Sequence, residues 1–222
     1  MRIESQCTKP PWGVVWHVRR SLAWINDADM EGLFFIRLVD ELPKPSSTSP
    51  EAIKEAFDQG FNIYGLYYKR RNKTKPAYII LNIADIYRGV PRLYWFTPVP
   101  TLLITYSLAH EVGHHIVAKR GYIIKPGETG KLEEHEEAFA NRYAFSVLER
   151  MREHWHYSLG NWAIRDLSEW HYTFGMTSWQ SKNYGKAAEH WYNAWALDAN
   201  NNEAAYWYTR AKEMLVSAST EK

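Results

Sequence analysis

Apolar and polar positions alternate along residues 61–69. A two-residue period lines one face of a strand with apolar side chains. Residues 77–83 read as the returning strand, and the basic run Lys69-Arg70-Arg71-Asn72-Lys73-Thr74-Lys75 as the charged tip of a β-hairpin. Residues 33–39 are apolar and rich in β-forming types, which predicts a further strand, and Leu93-Tyr94-Trp95-Phe96 predicts one more. Residues 43–50 form a Pro/Ser-rich loop. A helix follows, opened by Ser49-Pro50-Glu51, with Ile53, Ala56 and Phe57 on its apolar face and Gly60 at its end. Residues 14–25 suit a short amphipathic helix carrying Trp16, Arg20 and Trp24, packed on the core rather than held out as a partner-binding arm.

Beyond Leu102 the pattern changes. Leu102, Leu103, Ile104, Tyr106, Leu108 and Ala109 precede the pentad His110-Glu111-Val112-Gly113-His114, and Ile116, Val117 and Ala118 follow it. Apolar flanks of this kind predict a buried helix, with Thr97-Pro98 or Thr101 placed to cap its start and Gly121 to end it. Two histidines four apart project from one helix face, one turn apart. That is the separation two imidazoles need to share a tetrahedral Zn²⁺. Glu111 between them is placed to take a proton from water activated at such a metal. Gly113 costs the helix roughly 1 kcal/mol against alanine; its missing side chain lets backbone or substrate come close.

The pentad occurs by chance in unrelated helices, so a third ligand decides the reading. A metzincin would carry a further His six residues after His114 and a Gly three before it, where this chain has Arg120 and Val117. A gluzincin takes a Glu from a second helix. The run Leu132-Glu133-Glu134-His135-Glu136-Glu137-Ala138-Phe139-Ala140-Asn141-Arg142-Tyr143-Ala144 reads as such a helix. Glu137 and Asn141 share one face, and Ala140 and Ala144 keep the neighbouring surface small enough for close helix contact. Glu137 is the candidate third ligand, and Asn141 the acceptor for the free N–H of a ligating histidine. Glu133, Glu134 and Glu136 read as a solvated helix N-terminus, where carboxylates favour the dipole. His115 points about 100° away from His114 and reads as packing or surface.

These two helices resemble the compact gluzincins of the ImmA/IrrE type, whose pattern is a His-Glu-x-x-His helix followed after a short link by a Glu-x-x-Ala-Asn-x-Phe-Ala helix. The likeness covers roughly residues 30–150, with Tyr143 in place of the usual second-helix aromatic. It implies a zinc metallopeptidase, with His110, His114 and Glu137 as ligands and Glu111 as general base. Hydrolysis also needs a donor to steady the tetrahedral oxyanion. Tyr106, Tyr122, His135, Tyr143 and His171 are the candidates, and spacing does not choose among them. Zincin substrates bind extended along a sheet edge, so a strand between Ala77 and Phe96 is expected to take the peptide.

Composition narrows the class without changing it. The chain has 222 residues, 27 basic against 25 acidic, and a formal net charge of +2, a balance that gives no footprint for nucleic acid. No apolar run approaches the roughly 20 residues of a membrane span, and the start has no continuous apolar signal core. The lone Cys7 has no internal disulfide partner, which agrees with a reducing compartment. A cytoplasmic protein is the expectation.

Tryptophans cluster from Trp155 onward, with none between Trp95 and Trp155, and this shift marks a boundary. The expected organisation is a zincin-like domain over residues 1–150 and a helical region over residues 151–222. In the latter, the run from Asn183 to Asn201 resembles the second helix of a tetratricopeptide repeat, with Ala187 and Ala194 flanking Trp191. The first helix would run over residues 168–182, with Phe174 and Gly175 where the repeat wants Leu and a small residue. His171 stands in place of its Trp, and Ala199 in place of its Pro. A third helix would span residues 203–217, and residues 151–167 would connect. One repeat is fewer than the roughly three of an independent solenoid, so this region either braces the protease-like part or binds a protein partner. The fold class is therefore α+β: a small mixed sheet and two zincin-type helices, followed by an all-α hairpin region. The implied function is zinc-dependent hydrolysis of a peptide or protein. The alternative is a non-catalytic or latent zinc-fold regulator that recognises a partner through its C-terminal helices.

Overall fold

The structure, a computed structural model of the chain, describes residues 1–44, 64–69, 76–88, 90–95, 97–120, 129–154, 161–198 and 200–220. The helix expected from Pro50, the hairpin tip beyond Lys69, and Gly121 and Tyr122 lie outside these residues. The fold is α+β, with a mixed sheet, a pair of long helices and a helical C-terminal region.

Two compact units divide the chain. The first comprises Met1–Leu42, Tyr64–Arg88 and Pro100–Ser158; the described residues of Gly89–Val99 and Leu159–Lys222 belong to the second.

In the first unit, β1 (Arg2–Ser5), β2 (Leu33–Val39), β3 (Gly65–Tyr68) and β4 (Ala77–Asn82) form a sheet in the order β1-β2-β4-β3. β1 and β4 run parallel to β2, whereas β3 and β4 are the antiparallel hairpin that the alternation predicts, with Tyr68 opposite Tyr78. The first residues of the chain are thus a strand held by its parallel partner. Ile36, Leu38, Ile79 and Leu81 are fully buried on one face. Gly65 and Tyr67 pair with Leu81 and Ile79, so they look out from that same face.

Helix α1 (Val14–Leu22) is the expected amphipathic helix, with Val14, His17, Val18 and Ser21 buried and Trp16 exposed. After α2 (Asp27–Met30), capped by Asn26, comes α3 (Ile83–Arg88), which continues directly from β4. The Asn82 side chain accepts from the Asp85 N–H at 3.3 Å, turning strand into helix where the sequence reads as strand to its end. The strand expected at residues 93–96 is instead a 3₁₀ turn over Arg92–Tyr94. Pro91 fixes φ at −54°, and its carbonyl takes the Tyr94 N–H at 2.8 Å.

Helix α4 (Val99–Lys119) is the centre of the first unit: Leu102, Ile104, Thr105, Tyr106, Leu108, Ala109 and Val112 are all buried. Of the two expected caps it is Thr97 that acts, its Oγ1 accepting from the Val99 N–H at 3.3 Å. Helix α5 (Thr129–Arg152) buries Ala140, Ala144, Val147, Leu148 and Met151, a stripe at helical spacing.

In the second unit, α6 (Asn161–Gln180), α7 (Tyr184–Leu197) and α8 (Asn202–Thr220) are consecutive. The first starts at Asn161 rather than at Ser168, which takes in much of the expected connecting segment. Asn183 caps α7 by accepting from the Lys186 N–H at 3.2 Å. Ala187, Ala188, Trp191 and Ala211 form a closed core with Trp179 and Trp207 packed against it. A Cβ on Gly175 would stand 2.5 Å from Trp191 Nε1, so the small residue is what lets α6 lie on the tryptophan.

The α1–α4 contact is polar as well as apolar. His17 Nδ1 lies 2.6 Å from Thr101 Oγ1, and the Ser21 hydroxyl meets both the Thr101 carbonyl and the Thr105 hydroxyl. Burial, and then the Arg20 charge, push His17 down to about 4 from its ordinary 6.5. The unfolded chain therefore binds this proton at a higher pH than the folded chain does. The stabilisation is complete above pH 6.5 and is lost as pH falls from 6.5 towards 4. The loss is at most about 3 kcal/mol, from about 1.4 kcal/mol per unit of pKa. We expect urea unfolding of the wild type and of His17→Gln to differ by a constant amount above pH 6.5, and that gap to close towards pH 4. A gap independent of pH would show that His17 is not held neutral.

Candidate metal centre

Helices α4 and α5 meet at Gly113. A Cβ there would lie 2.6 Å from Ala140 Cα and 3.0 Å from Ala140 Cβ, so the helices touch nearly backbone to backbone. This explains the glycine in the middle of α4, and Ala140 is one of the small residues the sequence offers for the contact. The approach brings the carboxylate of Glu137 to both histidines. His110 Nε2 lies 3.5 Å from Glu137 Oε2, and His114 Nε2 lies 3.4 Å from Glu137 Oε1. The two Nε2 atoms are 3.1 Å apart. One donor atom from each of the three residues fits within 4.8 Å of the others, and they are the group of this kind among the described residues.

Hydrogen bonds fix which ring nitrogens face inward. His110 Nδ1 is 3.1 Å from Asn141 Oδ1, an acceptor, so Nδ1 carries the hydrogen and Nε2 presents a lone pair. The Tyr106 hydroxyl donates to the same Oδ1 at 2.8 Å. His114 Nδ1 is 3.1 Å from Glu136 Oε1, with the same consequence whenever the ring is neutral. Asn141 thus stands where the helix spacing puts it. Glu136 does not belong to a purely solvated N-terminus. Its place one turn before Ala140, the residue that touches Gly113, is the signal that it faces α4.

These distances suit a metal. Ligand atoms of a tetrahedral zinc stand about 3.3 Å apart for bonds of about 2.0 Å, close to the three separations here. Two imidazoles and a carboxylate are a donor set zinc accepts. Electrostatics point the same way. Burial opposes a charge on His114, but the carboxylates of Glu136, Glu137 and Glu111 outweigh it and push the imidazole up to about 10. Burial, and then that His114 charge, push His110 down to about 4. The pair therefore holds one positive charge between two facing nitrogens.

Glu111 is 7% exposed and lies on the sheet side of α4. Burial pushes its carboxyl up to about 7; the His114 charge and the Tyr67 N–H pull the other way. A Cβ on Gly65 would stand 2.8 Å from Glu111 Cγ and 2.9 Å from its Oε1, so only a glycine lets β3 lie this close. Neither Gly65 nor Tyr67 is singled out by the sequence, because their proximity to Glu111 arises from the sheet and not from local spacing.

The residues expected to steady an oxyanion are otherwise placed or engaged. The Tyr106 hydroxyl is committed to Asn141, and that of Tyr143 to Asp29 Oδ2 at 2.7 Å. His135 is exposed on α5. His171 lies in the second unit, with its Nδ1 3.0 Å from that of His190. His115 is buried packing, as its direction implies: its Nε2 donates to the Glu31 carbonyl at 2.9 Å and its Nδ1 meets the Tyr67 hydroxyl at 3.1 Å. The strand expected to take substrate is corrected too. β4 is internal, flanked by β2 and β3, while among the described residues β3 is the edge beside Glu111.

Compared with known protein families, with curated proteins and with solved structures, the chain matches none.

The α4–α5 contact generates a prediction opposite to helix propensity. Gly113→Ala should gain about 1 kcal/mol of propensity and lose more, about 1–3 kcal/mol, to overpacking against Ala140. Chemical unfolding of the metal-free protein should show a net loss of stability. A net gain would mean that the helices do not meet as described.

Proposed function

We propose that the chain is a zinc-dependent peptidase acting on a peptide or protein substrate, similar in its site to the compact gluzincins. The observation that carries the reading is the convergence of His110, His114 and Glu137 beside a buried glutamate on the same helix. His110 and His114 would hold the metal through Nε2, and Glu137 through its carboxylate. Zinc bound there would supply Lewis-acid polarisation of a peptide carbonyl and lower the pKa of a water molecule.

Glu111 accepts the proton of the attacking water and returns it to the leaving amine. Its raised pKa suits a group that both takes and gives a proton near neutrality. Asn141 and Glu136 keep the imidazoles in the tautomer that leaves Nε2 bare. Edge strand β3 offers the backbone along which an extended peptide would pair. The Glu137 side chain is 58% exposed, so the group is reached from solvent.

A second reading is a latent or non-catalytic regulator. It is favoured by the close packing of Glu111 on Gly65 and by Trp170 and Phe174, which are 40% and 44% exposed on α6, where a protein partner would bind. No described helix is long and apolar enough to cross a membrane. We place the protein in the cytoplasm on the sequence argument from Cys7.

Protein purified without chelator should carry about one zinc per chain. On unfolded casein and a peptide library, Glu111→Gln should keep the zinc and lose cleavage by about 10²-fold or more. Zinc with no cleavage in either protein favours the regulator, and no bound metal sinks the metal reading itself.

A further inference from the structure

The two histidines are backed unequally. Behind His110 stands a neutral amide, Asn141, itself held by the Tyr106 hydroxyl. Behind His114 stands a carboxylate, that of Glu136. The two contacts have the same length, 3.1 Å, so what differs is charge and not reach. A carboxylate bonded to Nδ1–H draws that proton towards itself and enriches the opposite nitrogen, making Nε2 the stronger donor. Among the described residues the ion pair of Glu136 is with His114, and no lysine or arginine takes it. Its side chain is 31% exposed, against 58% for the neighbouring Glu137, so its charge is less screened. Charge count points the same way. A dication held by two neutral imidazoles and the Glu137 carboxylate keeps one net positive charge, which Glu136 neutralises from one imidazole away.

We propose that Glu136 is a positioning residue that fixes the ring of His114 and, through its charge, sets the affinity of the site for its metal; this rests on the metal reading of the triad. The chain thereby separates two tasks on adjacent residues of α5. Glu137 is a ligand and Glu136 tunes a ligand, while Asn141 holds the other ring without adding charge.

The test uses the full chain. Zinc affinity is measured by competition with a chromophoric chelator for wild type, Glu136→Gln and Glu136→Ala, and the visible absorption of the Co²⁺-loaded proteins is recorded. Glu136→Ala should weaken zinc roughly 10–100-fold and shift the cobalt bands. Glu136→Gln keeps an acceptor for His114 Nδ1 but loses the charge, so it should recover only part of that loss. The metal-free variants lose the Glu136–His114 pair and should be less stable than the wild type, yet stay folded at room temperature with unchanged circular dichroism. Tight binding by the wild type with unchanged affinity and spectra in both variants would overturn the role of Glu136 and leave the metal reading intact. A loss of affinity seen only in variants that are unfolded without metal, Glu136→Gln included, would also overturn it. A wild type that binds neither metal would end the metal reading, and this inference with it.

Discussion

The contact of Gly113 with Ala140 is the constraint on which the centre depends. Glu137 sits one turn before Asn141 on α5, and both must reach rings that project from α4. A glutamate side chain spans only a few ångströms, so the backbones have to close to near-contact. Glycine on one helix and alanine on the other permit that, and a Cβ at residue 113 would meet the Ala140 Cα at 2.6 Å. The helix-breaking tendency of glycine is a small local cost. It is repaid by a separation that no larger residue allows. The buried stripe Ala140, Ala144, Val147 and Leu148 then carries the same contact down α5.

Once the helices are that close, the electrostatics follow. Hydrogen-bond acceptors behind both rings leave two lone pairs facing each other at 3.1 Å, with carboxylate oxygens at 3.4 and 3.5 Å. Such an arrangement is unfavourable unless positive charge lies among the donors. Without a metal, the carboxylates of Glu136, Glu137 and Glu111 favour a proton on His114, which removes one of the two lone pairs. A ligand that binds only the folded state stabilises it in proportion to the logarithm of its concentration over its dissociation constant. A cation taking the place of that proton would therefore be coupled to folding of α4 on α5. Protons and metal would compete for the same nitrogens.

How much of this was legible in the sequence depends on the range of each interaction. The His110–His114 pair, Glu111 between them, and Glu137 with Asn141 are all set by helix periodicity, and they stand where that periodicity puts them. Leu33–Val39 and the β3–β4 hairpin follow from apolar and alternating patterns in the same way. Glu136 reads as part of a solvated helix start, because an acidic run there has a sufficient local explanation, yet it bonds His114. What sequence could not carry is the lateral order of the strands. β1 is a strand because β2 lies beside it, and β4 is internal because β1 and β2 extend the sheet on its far side. Gly65 acquires its meaning only when that order places it against Glu111. The extension of α6 back to Asn161, by contrast, is local: residues 161–167 carry no break that would separate them from the helix.

The edge strand links the fold to the chemistry. The Tyr64 carbonyl accepts from the Asn82 N–H at 2.9 Å, so Tyr64 faces β4, and by alternation the N–H and C=O groups of Gly65 and Tyr67 face outward. An exposed edge invites uncontrolled pairing, and proteins restrict it by keeping such strands short or by capping their outward groups. β3 is short, Gly65–Tyr68, and Glu111 packs against it at Gly65 with the Tyr67 N–H favouring its ionised form. The residue proposed as general base thus also caps the strand proposed to receive the peptide. One contact, Glu111 on Gly65, thus both covers part of the edge and fixes the position of the carboxylate.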